Sequence, residues 1–461
     1  MNARSWWLMI SVGLGMLLNP LNSSMVAVAI PRLQHVYRLD FTMVSWIIFS
    51  FYIASAIANP VMGKASDLFG RKKIFLLGLI VALIASLFAP YSPTFGWLLV
   101  CRIVQSIGTS MLLTAGMAII RTHTQENQAT AISVLTVFQS GAAAIGPFIG
   151  GMLIYTWDWH AIFAVNVPFV VLSLLLCYWI IPKDESMSTV AQRLTLRQWL
   201  DRIDSLGILL FTAGLVSLLI GLLSAKSTVH VSWLHVTAIV AGVVLLGTFI
   251  QHERRAAAPF IPLPALARYP AITRVNVNFM LVNVLFYALF FGIPSYLQTV
   301  RHLSELHTGI LMLTLGLSSL LITPFAGRWV DRSGPRPALR LAAMLMTLGA
   351  AWILTWTPTS PLLSVCLGLA AFGIANGLSN VSLQATLFRS SPQALIGVAS
   401  GLFSTARNLG AILSSLLIGI VLGKQFSFGG FRTLGLILVC FALSLVFTSW
   451  KHRESEQVQE S

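Results

Sequence analysis

Fourteen stretches of about twenty consecutive apolar residues recur along this chain, and they leave it few folds to choose from. A bilayer core about 30 Å thick is crossed by roughly 20 helical residues. The stretches cover 6–30, 42–62, 74–91, 94–120, 130–156, 160–181, 205–225, 231–251, 274–297, 307–326, 339–357, 361–387, 396–422 and 431–450. A membrane barrel would show short alternating segments instead, so these runs predict helices. The expected fold class is therefore all-α, a polytopic membrane protein with fourteen transmembrane helices. Only 9% of the residues are charged, too few to solvate a surface of this size in water.

The formal net charge of +15 reads as topology. With the N-terminus and every second loop on one side, that side holds 21 of the 29 Lys and Arg. The other side holds Arg32, Arg38, Lys226, Arg301, Lys424 and Arg432, while Arg102 and Arg407 fall inside spans. This is the positive-inside pattern. It predicts both termini in the cytoplasm of a multi-pass protein of the cell membrane, a bacterial inner or plasma membrane, with the lipid bilayer rather than nucleic acid as its partner. Cys101, Cys177, Cys366 and Cys440 sit in spans at unrelated spacings, which fits small packing residues and suggests neither disulfides nor a metal site. No nucleophile–base pair and no phosphate-binding glycine loop is present, so neither an enzyme nor an ATP-driven pump is expected, and no cofactor. The first span lacks a small-residue cleavage pattern and does not read as a cleaved signal.

A repeat organises the spans. "GKASDLFGRKK" (63–73) follows span 2 and "GRWVDRSGPRP" (327–337) follows span 10. Gly63, Asp67, Gly70 and Lys72 align with Gly327, Asp331, Gly334 and Arg336 at a constant offset of 264. The helices then divide into an N-terminal bundle of six (1–182), two inserted spans (205–252) and a C-terminal bundle of six (274–450). Linkers at 183–204 and 253–273 and a polar tail at 451–461 complete the chain. The first linker reads equally as a surface amphipathic helix or a solvated connection. Duplicated bundles with a site at their interface are a common plan of secondary transporters.

Five motifs carry a resemblance. They are "GKASDLFGRKK" itself, "RIVQSIG" (102–108), "GAAAIGPFIGG" (141–151), "WDWHAIFAVNVP" (157–168) and "STARNLG" (404–410). Together they resemble the major facilitator superfamily, in particular its fourteen-span drug/proton antiporter subfamily of multidrug efflux transporters. The resemblance implies a monomeric secondary transporter of small-molecule substrates, with protons as a candidate coupling ion. It also implies that Gly141, Gly146, Pro147, Gly150 and Gly151 kink span 5 and seal the cavity, although small residues also serve close helix packing on their own. A conformational latch would involve Gly63, Asp67, Gly70, Arg71, Asp331 and Arg332; the alternative is a plain positive-inside loop.

Polar residues inside apolar spans locate a cavity. Arginine at mid-helix costs about 2.5–3.5 kcal/mol on insertion scales, so Arg102 should face a cavity or partners. Gln105 and Thr109 share its stripe. In the superfamily the first helix of each group of three lines the cavity, which here means spans 1, 4, 9 and 12. Each carries amides: Asn19 and Asn22; Gln105; Asn278 and Asn283 with Tyr287; Asn376, Asn380 and Gln384. Interhelical hydrogen bonds without a ligand are the plainer reading of any single one. Met25, Trp46, Phe49, Tyr52, Phe286 and Phe290 would supply apolar walls suited to lipophilic substrates.

All fourteen Asp and Glu fall in loops, loop signatures or tails. The subfamily's span-1 motif reads Leu-Asp followed by small polar residues and Ala-Leu-Pro, whereas this chain reads "LNSSMVAVAIP" (21–31), with Asn22 in the carboxylate's place. Coupling would then run through edge groups such as Asp40, Glu305 or His160, through Arg102 or Arg407, or through a titrating substrate. Arg407 sits near a span end, where snorkelling also accounts for it. The expected function is export of lipophilic or amphipathic compounds by alternating access. A dedicated exporter of one metabolite or lipid, and a non-transporting membrane sensor or scaffold, are the alternatives.

Overall fold

The computed structural model describes residues 3–123, 128–182, 204–224, 233–256, 259, 261, 263–391, 396–422 and 427–451. Most of the first linker, Glu126 and the tail beyond 451 lie outside the described residues, as do the side chains of Lys64, Asp67 and Leu68. Among the described residues, fourteen helices are long and apolar enough to cross a membrane, as the hydrophobic runs predict.

Span 1 is broken at Leu17 into α1 (Ala3–Met16) and α2 (Leu18–Tyr37). Span 2 comprises α3 (Phe41–Val44) and α4 (Trp46–Phe69), and span 3 is α5 (Arg71–Phe88). Then come α6 (Phe95–His123), α7 (Gln128–Trp157), and span 6 as α8 (Ala161–Ala164) with α9 (Asn166–Ile180). The inserted pair is α10 (Ser205–Ser224) and α11 (Trp233–Glu253), followed by the short α12 (Leu263–Arg268). Span 9 is α13 (Pro270–Ser295), prolonged by a π-turn over Tyr296–Val300. The last five spans are α14 (Glu305–Ser333), α15 (Pro335–Leu354), α16 (Leu362–Ser390), α17 (Ile396–Leu422) and α18 (Phe428–Lys451).

Spans 1, 2 and 10 each run seven residues past their expected ends, to Tyr37, Phe69 and Ser333. In span 1 the apolar run was expected to close at residue 30, yet α2 continues through Pro31 to Tyr37. A proline in a membrane helix removes one backbone hydrogen bond, a loss that neighbouring helices can offset. Here Leu33 is buried and Arg32 is held by Asp158, which anchors the extra turns. Arg38 then ends the helix in the left-handed conformation, φ 53°.

Four pairings recur in the first six and the last six spans. α2 packs on α7 as α13 does on α17; α4 on α6 as α14 on α16; α5 on α6 as α15 on α16; and α5 on α9 as α15 on α18. Between the two sets, α7 meets α14 and α4 meets α17. Glycine makes the tightest approach possible: a Cβ on Gly316 of α14 would sit 2.4 Å from the Cα of Ala144 on α7. The inserted helices α10 and α11 pack mainly on each other. α11 leaves Val240, Val243 and Val244 more than half exposed, an apolar face suited to lipid.

Candidate transport site

The site grows from span 1. A helix carrying Asn, Ser and Ser in hydrocarbon must bury them against partners, because an unpaired amide there costs several kcal/mol. α2 turns each in a different direction. Ser24 donates to the carbonyls of Pro20 and Leu21, 2.8 and 3.0 Å away, and faces Gly146 of α7. Met25 is fully buried against Gly150. Asn19 remains half-buried and donates to Thr109 Oγ1 at 3.1 Å.

Asn22, only 2% exposed, uses both ends of its amide. Its Oδ1 accepts from Gln105 Nε2 at 3.1 Å and from Asn166 Nδ2 at 2.7 Å, while its Nδ2 donates to the Leu18 carbonyl at 2.8 Å. Gln105 Nε2 also reaches Ser86 Oγ at 3.4 Å, and its Oε1 accepts from Arg102 Nη1 at 2.7 Å. Arg102 is 1% exposed, its guanidinium lies 4.3 Å from the Phe51 ring centroid, and its Nε has no hydrogen-bond partner among the described residues. The result is a cation held by the Gln105 amide and a π-face, in a network from spans 1, 2, 3, 4 and 6, with no carboxylate among these partners.

Sequence reading found Asn22, Arg102 and Gln105 but passed over Asn166, Ser86 and Phe51. Asn166 could have been found: it is an amide in an apolar span, quoted within a motif, but it lies outside the helices expected to line a cavity. Nothing in sequence distinguishes Phe51 from its aromatic neighbours.

Aromatic rings carry the contact from this network to the other six spans. Tyr52 lies edge-on to Phe51 at 5.6 Å and to Tyr287 of α13 at 5.4 Å. Phe286 and Phe290 stack at 5.4 Å beside Tyr287, and Trp46 meets Phe49 edge-on at 5.5 Å, with Phe49 buried and Trp46 partly exposed. The amides of the last six spans are looser. Asn283 donates to Phe279 O on its own helix, and the half-buried Asn380 donates to Asn376 O and Oδ1. Asn376 crosses only to Ser319, at 3.3 Å.

The less basic face is closed. Gln298 donates to the Val28 carbonyl at 3.0 Å and Thr42 to the Gly419 carbonyl at 3.4 Å, joining the first six spans to the last six. Just beneath, Gly151 packs so tightly that a Cβ would lie 2.2 Å from the Glu305 carbonyl oxygen, and a Cβ on Gly309 2.6 Å from that of Pro147. Gly141, by contrast, has open space around it. Asp158, at φ 64°, pairs bidentately with Arg32 (2.8 and 2.7 Å) and accepts from the Trp159 amide. The Arg32 hydrogen bonds, with that amide, hold the Asp158 carboxyl below its ordinary pKa.

The remaining coupling and latch candidates lie apart from the network. Asp40 caps α3, its Oδ1 accepting from Met43 N at 2.6 Å. Glu305 begins α14 at the closed face. Arg407 is exposed, 5.7 Å from the Phe279 ring centroid. Gly70 breaks the chain at φ 102°, and Arg71 donates to Ala118 O and Thr122 Oγ1 within its own half. Gly63 has nothing near its absent side chain, and Asp331 and Arg332 are exposed.

The sequence profile of the Major Facilitator Superfamily matches residues 12–415. The chain is 42% identical over 429 residues to the MFS-type transporter YwoD of Bacillus subtilis, covering 93% of each. It is 26% identical to a multidrug resistance protein B homolog of Mycobacterium tuberculosis, over 86% of this chain and 72% of that one. Its fold is similar to that of the nucleoside transporter NupG, with a TM-score of 0.69 at 14% identity, covering 97% of this chain and all of that one. Fourteen helices among the described residues long and apolar enough to cross a membrane, a profile match across most of the chain and a close relative of the same kind make one conclusion plain: this protein belongs to the Major Facilitator Superfamily and is a membrane transporter, not an enzyme.

Proposed function

We propose that this protein is a secondary active exporter of lipophilic or amphipathic small molecules, working by alternating access between two six-helix bundles. It acts as a monomer in the cell membrane with both termini in the cytoplasm. Relatives named for multidrug resistance support the substrate range, and the joined less basic face supports one end state of such a cycle. The observation that carries the substrate preference is Arg102. A buried cation held by the Gln105 amide and an aromatic face, with no carboxylate beside it, makes the site favour neutral or anionic substrates over lipophilic dications.

The test is flux through the purified protein in liposomes. A neutral or anionic amphipath should be exported faster than a lipophilic dication; good dication export with poor neutral export would overturn the preference. Asn22→Asp restores the subfamily's carboxylate beside Gln105 and Asn166. It should gain cation transport that responds to an imposed pH gradient, and identical behaviour of the two proteins would remove Asn22 from the account of coupling.

A further inference from the structure

The two loop repeats break at equivalent glycines, Gly70 at φ 102° before α5 and Gly334 at φ 77° before α15. In the first copy the chain fills the space behind the break with its own cations. Arg71 donates to the Ala118 carbonyl and Thr122 Oγ1 at the end of α6, and Lys72 donates to the Tyr178 and Ile181 carbonyls at the end of α9. In the second copy, at the same offset of 264, Pro335 stands where Arg71 stands and Thr386 where Thr122 stands. Proline has no side chain to send across, and a cavity of about 220 Å³ remains there.

The rim of this cavity is cationic and rich in hydroxyls: Arg336, Arg389, Ser333, Thr386, Ser390 and Ser449. One to two turns deeper, Leu339 and Leu383 form an apolar floor. Arg389 Nη1 lies 3.8 Å from where a Gly334 side chain would begin, so a guanidinium sits at the positive end of α15. A guanidinium and a helix N-terminus facing one cavity both favour an anion there. Prolines 335 and 337 lack amide protons, which leaves recognition mainly to the guanidinium and hydroxyl donors. A phosphate group suits that set, since it offers several strong acceptors to forked and single donors together. The polar rim above an apolar floor follows the order of headgroup and acyl chain. Basic pockets between helices on the positive face of membrane proteins bind anionic headgroups in this way.

We infer that this cavity is a phosphate site that holds the headgroup of an anionic phospholipid, separate from the central transport site. Native mass spectrometry of the purified full-length protein, titrated with phosphatidylglycerol or phosphatidylcholine, tests it. Phosphatidylglycerol should be retained about tenfold better, and the double variant R336Q/R389Q should bring the two lipids close to parity. R254Q removes a basic-face charge outside the cavity and should leave the preference intact. Should the double variant fail to fold, Thr386→Val keeps every charge and should still lower retention about threefold. Displacement of the lipid by millimolar inorganic phosphate, lost in the same variants, would support the phosphate site and assign it a soluble ligand as well. Equal retention of both lipids by the native protein, or an equal loss in R254Q, would overturn the inference.

Discussion

The first six spans and the last six share their helix pairings but not their polar interiors. In the first set, buried amides from three helices lock one another in place and one of them, Gln105, holds Arg102, with Asn22 bonded at both ends. In the last set, Asn283 and Asn380 bond mainly along their own helices, and Asn376 and Asn380 keep part of their surface open. Buried amides that bond one another across helices hold those helices in register, whereas a half-exposed amide can exchange a backbone partner for a ligand. Under the proposed function the difference becomes a division of labour: one half supplies a fixed charge and the other supplies adaptable contacts.

The largest effect should come from breaking the half that supplies the charge. Arg102→Met removes a cation buried at considerable desolvation cost, so the thermal midpoint of the protein in detergent should hold or rise. Liposome flux of an anionic substrate should nevertheless fall about a hundredfold, matching the loss of a buried charge contact. A variant that transports normally would show that Arg102 only fills space.

Gly151→Leu attacks the seam between the halves. A side chain there meets the Glu305 carbonyl, 2.2 Å from the position of a Cβ, and must push α7 and α14 apart at the closed face. Flux should drop about tenfold, and a cysteine placed at Gln298 should react faster with maleimide in a background free of native cysteines.

Asn380→Ala probes the adaptable half. Its lost hydrogen bond should raise KM about threefold without changing stability measurably. An effect as large as that of Arg102→Met would erase the proposed division.

Asp158→Asn should matter least, because the Arg32–Asp158 pair is about one-third exposed on both sides and such pairs contribute at most about 1 kcal/mol. The Asp158 carboxyl is held below its ordinary value of 3.8. Its contribution is thus complete above pH about 4 and is lost as pH falls through the lowered folded value. Thermal unfolding of native protein and variant should therefore converge only in strong acid.

Much of this was legible before any coordinates. Span number followed from run length, since a bilayer demands about twenty apolar residues per crossing. Arg102, Gln105 and Asn22 stood out because polar groups in hydrocarbon are costly. The extra turns of α2 beyond Pro31 were not legible, because they depend on Asp158, a residue 126 positions away. Asn166 and Phe51 were hidden for a similar reason: which face of a helix meets which neighbour is set by packing between spans.

The sequence by itself determined the membrane-spanning helices, their positive-inside asymmetry and the placing of every Asp and Glu at or beyond a span's end rather than at mid-membrane, because these are properties of composition along a line; the structure draws Glu253, Glu305 and Asp331 into the ends of α11 and α14. Only the tertiary structure decided what Asn22 does. Its amide oxygen accepts from spans 4 and 6 at one point while its nitrogen donates back to its own helix, so that one residue ties spans 1, 4 and 6 together. Likewise, the substitution of Pro335 for Arg71 in the repeated loop is visible in sequence, but the cavity it leaves exists only once α15 and α16 are packed.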